Sequence, residues 1–156
     1  MRNQIMISML FSIISTTLLI NLGVNSTLSR SSSDSNTVTV YKSPTCDCCN
    51  KWVKHLQDHG FKVIANDTSE LNQIKVKHKV PNELAACHTA IVDGYVVEGH
   101  VPADVIQKML NEHPKAIGIA VPGMPMGSPG MEGSYSESYD VLIFDQNGNV
   151  KTYTSR

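Results

Sequence analysis

A chain of 156 residues has room for one domain with a real core and not for two. Its 13 basic and 14 acidic residues nearly balance and form no block of like charge, which excludes a nucleic-acid footprint and a polyionic tail. Apart from seven methionines, the composition is that of an ordinary soluble globular protein.

The N-terminus stands apart from the rest. Met1-Arg2-Asn3-Gln4 is a short, weakly positive start, and an apolar stretch from Ile5 to Val24 follows. This order reads as a secretory signal peptide over 1–26, a Ser-rich linker over 27–36 and a folded domain over 37–156. About 20 apolar residues also suffice for an uncleaved anchor helix, but Ser, Thr and Asn dilute this run. The domain is therefore expected in the periplasm, touching the membrane only through the N-terminal segment if that segment is retained.

From residue 37 the periodicity alternates between strand and helix. Thr37 to Tyr41 alternates β-branched and aromatic residues, as a strand does. Trp52, Val53 and Leu56 share one face of a helix over 50–59, which Gly60 stops. Phe61 to Ala65 is a short strand, and Ser69 to Val80 a weaker helix ended by Pro81. His88–Val92 and Tyr95–Val97 flank the hairpin signal Asp93-Gly94, and Pro102 opens a helix to Glu112. A loop rich in Gly, Pro and Met follows. Val141–Phe144 and Val150–Thr154 then form a last hairpin around Asn147-Gly148. The order β-α-β-α-β-β-α with an appended hairpin predicts an α/β, thioredoxin-like fold.

The four cysteines dominate the chemistry. Cys46-Asp47-Cys48-Cys49 crowds three thiols between the first strand and the first helix, and Cys87 comes some forty residues later beside His88. In an exported protein four cysteines would ordinarily form two disulfides. Here Cys46–Cys49, with C-x-x-C spacing, and bridges to Cys87 look feasible, whereas adjacent Cys48 and Cys49 would be strained. One thiol is in surplus. A helix entrance also favours thiolates, through free backbone N–H groups and the positive end of the helix dipole. In the thioredoxin-like arrangement the loop holding Cys87 faces that entrance. Four convergent thiolates suit Cu(I) or Zn(II); zinc prefers two spaced arms meeting tetrahedrally, and the crowding fits bridging thiolates and copper better.

Tyr41 to Trp52, Cys87-His88-Thr89-Ala90, Asp93 to Pro102 and Val121 to Met131 together resemble the CopG-type family, small exported metal-binding proteins associated with bacterial copper resistance. The resemblance spans residues 38–153. It implies a thioredoxin-like fold, a thiolate-bridged copper cluster on Cys46, Cys48, Cys49 and Cys87, and a role in binding periplasmic copper with interconversion of Cu(I) and Cu(II). Copper ions, and other copper-handling proteins of the cell envelope, are the partners it implies.

Further metal ligands are weighed beside the cysteines. His88 adjoins Cys87, although neighbouring side chains in a strand face opposite ways. His100, in Gly99-His100-Val101-Pro102, sits before the last helix and reaches the same end of the sheet. Met124 and Met126, with Met131, offer soft thioethers in a loop that equally suits packing. His55 and His59 lie four apart on one helix face and read first as exposed polar residues. Trp52 and Tyr95 are taken as core or rim.

Two functions remain. One is a copper-binding protein, with any redox step carried by the metal. The other is a thiol–disulfide oxidoreductase in which Cys46 attacks and Cys49 resolves. A structural reading with two stabilising disulfides is a third. The residues form no hydrolase triad, phosphate-binding glycine loop or carboxylate dyad.

Overall fold

The computed structural model describes residues 36–156. The segment read as a signal peptide lies outside the described residues, as does the linker apart from Asn36. The elements run β1 (Thr37–Lys42), α1 (Asp47–Asp58), β2 (Lys62–Asp67), α2 (Leu71–Lys77), a 3-10 turn (Asn82–Leu84), β3 (His88–Val92), β4 (Tyr95–Gly99), α3 (Ala103–Glu112), β5 (Gly118–Val121), β6 (Asp140–Phe144) and β7 (Val150–Ser155). The fold is mixed α/β. Its expected order holds through α3, and β5 is an additional strand, found where sequence periodicity suggested only loop.

All seven strands form one sheet in the order β2-β1-β3-β4-β5-β6-β7. The pairs β1–β2 and β4–β5 are parallel, and the others antiparallel. Parallel neighbours need a crossover, and here α1 spans one and α3 the other. Each helix brings an apolar stripe with it. Trp52 and Leu56 of α1, and Val105, Ile106 and Met109 of α3, join Val38, Val40, Ala90, Val92, Val97 and Ile119 in the main core. Because strand side chains alternate, the intervening residues Val96 and Ala120 belong to the opposite face. There they pack with Val80, Leu84 and Phe144 in a smaller cluster.

This layering brings three segments to one end of the sheet. β1 runs into the cysteine turn, the 3-10 turn delivers Cys87, and β4 ends just before His100. α1 begins three residues earlier than the apolar pattern indicates, so Cys48 and Cys49 lie on its first turn and Cys46 is its N-cap.

Candidate metal centre

Cys46 takes an extended backbone at the N-cap and makes no side-chain capping bond, which leaves its sulfur free for other partners. One helical turn later Cys49 is fully buried, and the two form a disulfide. Cys48 and Cys87 are free thiols, both half-buried. Their sulfurs approach the bridge from either end: Cys48 Sγ lies 3.5 Å from Cys46 Sγ, and Cys87 Sγ 3.3 Å from Cys49 Sγ. The four sulfurs all fall within 4.8 Å of one another.

Nitrogen donors border this cluster. Cys87, His88 and His100 form a second convergent group within the same limit. His88 Nδ1 lies 3.4 Å from Cys87 Sγ. Strand alternation argued against that contact, but β3 begins at His88, so Cys87 is outside the strand and alternation does not govern the pair. The His88 ring packs on Trp52 with centroids 4.2 Å apart, and its Nε2 is buried with no hydrogen-bond partner among the described residues. Burial, then His100 and Lys75, hold its pKa well below the ordinary histidine value.

His100 is fully buried. Its Nδ1 donates to the Pro129 carbonyl at 2.7 Å, which turns the Nε2 lone pair toward Cys87 Sγ, 3.2 Å away. A backbone carbonyl fixing one ring nitrogen so that the other can ligate is a recurring arrangement around metals. Burial also lowers the pKa of His100. Both imidazoles are thus held neutral, the form that binds metal. Cys87 behaves oppositely as an acid: burial, then the adjacent Cys48, pushes its thiol up to about 12. A metal must therefore displace a proton there.

The Gly/Pro/Met loop closes over this end of the sheet. Pro129 and Gly130 are buried, and a Cβ at Gly130 would stand 2.6 Å from the Cys48 carbonyl and 3.2 Å from His100 Nδ1. Only glycine permits that approach. The loop methionines are placed differently: Met124 is exposed, whereas Met126 and Met131 are half-buried. His55 and His59 stack with centroids 4.3 Å apart. His55 Nε2 accepts the Ala103 N–H at the start of α3, so in the neutral ring its proton sits on Nδ1. That bond makes His55 a helix-capping group.

The donor set of four sulfurs and two neutral imidazoles fits a soft or borderline metal ion and offers nothing to a hard one. All six are among the candidate ligands named from sequence, and the structure brings them together. Sequence reasoning did not find the residues that hold them: Pro129 and Gly130 behind His100, and a buried ion pair between Lys75 and Glu98 behind Cys87. Among the described residues no helix is long and apolar enough to cross a membrane.

A family model described as a protein of unknown function, DUF411, matches residues 84–131, the stretch holding Cys87, His88, His100 and the methionine loop. No curated protein matches the chain. Two solved structures do, both named copper resistance protein copG, in form 1 and form 2. Each shares 39% identity and a TM-score of 0.73 over 77% of this chain, covering 96% of form 1 and 97% of form 2. At that identity over nearly the whole of those structures, the chain belongs to the CopG family of copper resistance proteins.

Proposed function

We propose that this protein is a periplasmic copper-binding protein of copper resistance, built on a thioredoxin-like domain. Its cargo is copper, held by the thiolates of Cys46, Cys48, Cys49 and Cys87. The observation that carries this reading is the convergence of four sulfurs within 4.8 Å in a member of a copper resistance family. Three of those sulfurs come from a single helix entrance. Such crowding favours thiolates that bridge several Cu(I) ions over a lone tetrahedral zinc. His88 and His100 add imidazole nitrogen on one side of Cys87, and imidazole suits Cu(II) as well. A site with sulfur on one side and nitrogen on the other supports interconversion of the two oxidation states. Met124 and Met126 serve as thioether ligands on the loop, where copper is captured without a thiol that could oxidise.

The disulfide bears directly on this mechanism. Cys46 and Cys49 become ligands only after two electrons and two protons from a dithiol donor convert the bridge to two thiols. The bridged protein is thus the form with an incomplete ligand set, and the reduced protein the form that takes copper. That same bridge favours the second reading, a thiol–disulfide oxidoreductase using Cys46 and Cys49. Cys48→Ser and Cys87→Ser separate the two. A copper protein loses most of its bound copper in either variant and keeps whatever dithiol exchange it has. Variants that retain full copper loading would leave the oxidoreductase reading standing.

A further inference from the structure

The face of the sheet opposite α1 carries a charged group where an apolar one would be expected. Glu98 on β4 is fully buried and Lys75 on α2 nearly so, and they form an ion pair. Burying such a pair costs desolvation that the mutual attraction often fails to recover, so stability alone is a weak reason for it. What the carboxylate grips is more informative. One oxygen, Oε1, accepts both Lys75 Nζ and the backbone N–H of Ala86, the latter at 2.6 Å. The other, Oε2, accepts the Thr89 hydroxyl at 2.7 Å, and Lys75 Nζ also donates to Thr89 Oγ1 at 2.9 Å. Ala86 and Thr89 are the residues immediately before and after Cys87-His88.

The chain at that point has little else to fix it. The ladder between β1 and β3 begins at His88, and that between β3 and β4 at Thr89, so Cys87 lies beyond both. On its other side is the 3-10 turn, which ends at Leu84. One further restraint acts on the same residue: a Cβ at Gly99, whose φ is +73°, would come within 2.9 Å of the Ala86 side chain and 2.4 Å of the Val121 carbonyl. Ala86 is thus pressed onto bare backbone and hydrogen-bonded from beneath.

We infer that Lys75 and Glu98 are positioning residues for the metal centre: their ion pair clamps Ala86 and Thr89, and the clamp holds Cys87 Sγ between Cys49 and His100. The inference rests on the copper reading for its purpose, but the placement of Cys87 can be read without copper. Partners behind metal ligands of this kind are typically worth about 10–100-fold in metal affinity.

The test uses two readouts. In the first, Cu(I) affinity is measured on the reduced protein by competition with a chromophoric Cu(I) chelator. In the second, a background carrying Cys46→Ser and Cys48→Ser is oxidised, and the rate of Cys49–Cys87 cross-linking reports directly on how well Cys87 is held. Lys75→Met with Glu98→Leu replaces the pair with apolar volume, which such sites tolerate. It should keep the native far-UV spectrum and Trp52 emission, bind Cu(I) about 10–100-fold more weakly, and cross-link more slowly. If it instead cross-links and binds copper as the parent does, the clamp is overturned. A native protein that takes no Cu(I) sinks the copper reading alone, and the cross-linking rate then decides the clamp. Should the double variant not fold, Thr89→Val removes one arm of the grip; an unchanged cross-linking rate there also overturns the inference.

Discussion

Replacing Gly130 by alanine probes how the methionine loop supports the metal centre. Gly130 has φ +88°, in the left-handed region, where a Cβ costs about 1–2 kcal/mol. The added carbon would stand 2.6 Å from the Cys48 carbonyl oxygen and 3.0 Å from the Trp52 amide nitrogen. Both are backbone atoms of α1 and cannot swing away, so residues 129–131 must lift. Lifting them breaks the 2.7 Å bond from His100 Nδ1 to the Pro129 carbonyl. An unpaired buried N–H adds roughly 1–3 kcal/mol. The sum is about 2–5 kcal/mol, and at about 4 °C per kcal/mol for a domain of this size the melting temperature falls by roughly 8–20 °C. His100 also loses the contact that aims its Nε2 at Cys87, so Cu(I) affinity should drop about 10–100-fold. Thermal unfolding of the copper-free protein and a chelator competition measure the two effects. Gly148→Ala is the control. Gly148, in the turn between β6 and β7, has φ +81° with nothing within 4 Å of its would-be Cβ, so it carries the backbone strain without the collision and should leave copper binding unchanged. If Gly130→Ala melts and binds copper as Gly148→Ala does, the account of the loop is wrong.

His55 accepts the Ala103 N–H at the start of α3, so His55→Ala should lower stability by about 1 kcal/mol, the usual worth of a cap. Burial and then His59 depress the pKa of His55, against the opposing charges of Glu132, Asp104 and Asp58. The unfolded chain therefore binds the proton more readily. The stability due to His55 is complete above its unfolded value of about 6.5 and is lost as pH falls through its folded one. Urea titrations at stepped pH should show a shallower acid slope in His55→Ala than in the native protein; equal slopes would remove His55 from the linkage. Thiol counting under denaturing, non-reducing conditions should find two thiols per chain, on Cys48 and Cys87, rising to four after reduction. A count of zero before reduction would restore the structural two-disulfide reading.

The convergence of the candidate ligands was legible because their chemistry is local. Three thiols next to a helix start, and a fourth before a strand that pairs with β1, converge whenever that strand pairing forms. His100 was legible for the same reason, since it follows β4 directly. His88 was harder, because the strand boundary that places its ring beside Cys87 falls between two adjacent residues. β5 escaped notice because Gly118-Ile119-Ala120-Val121 is too short to show a period and is buried on both faces. Glu98 falls just outside the strand Tyr95–Val97 expected from sequence, although the observed strand runs on to Gly99. Its burial depends on α2 crossing its face of the sheet, a tertiary contact that no local pattern encodes. Gly130 is similar: one glycine among several in a loop, until the loop is seen to lie against the Cys48 carbonyl.

The central claim is a thiolate centre that holds more than one copper ion, and the copper-to-protein ratio tests it most directly. The protein is reduced, loaded with Cu(I) under anaerobic conditions, freed of excess metal and analysed for copper and protein. The account predicts several copper ions per chain after reduction and markedly fewer when the Cys46–Cys49 bridge is left intact. A ratio near one would contradict the multinuclear centre, and a ratio well below one would contradict copper binding itself.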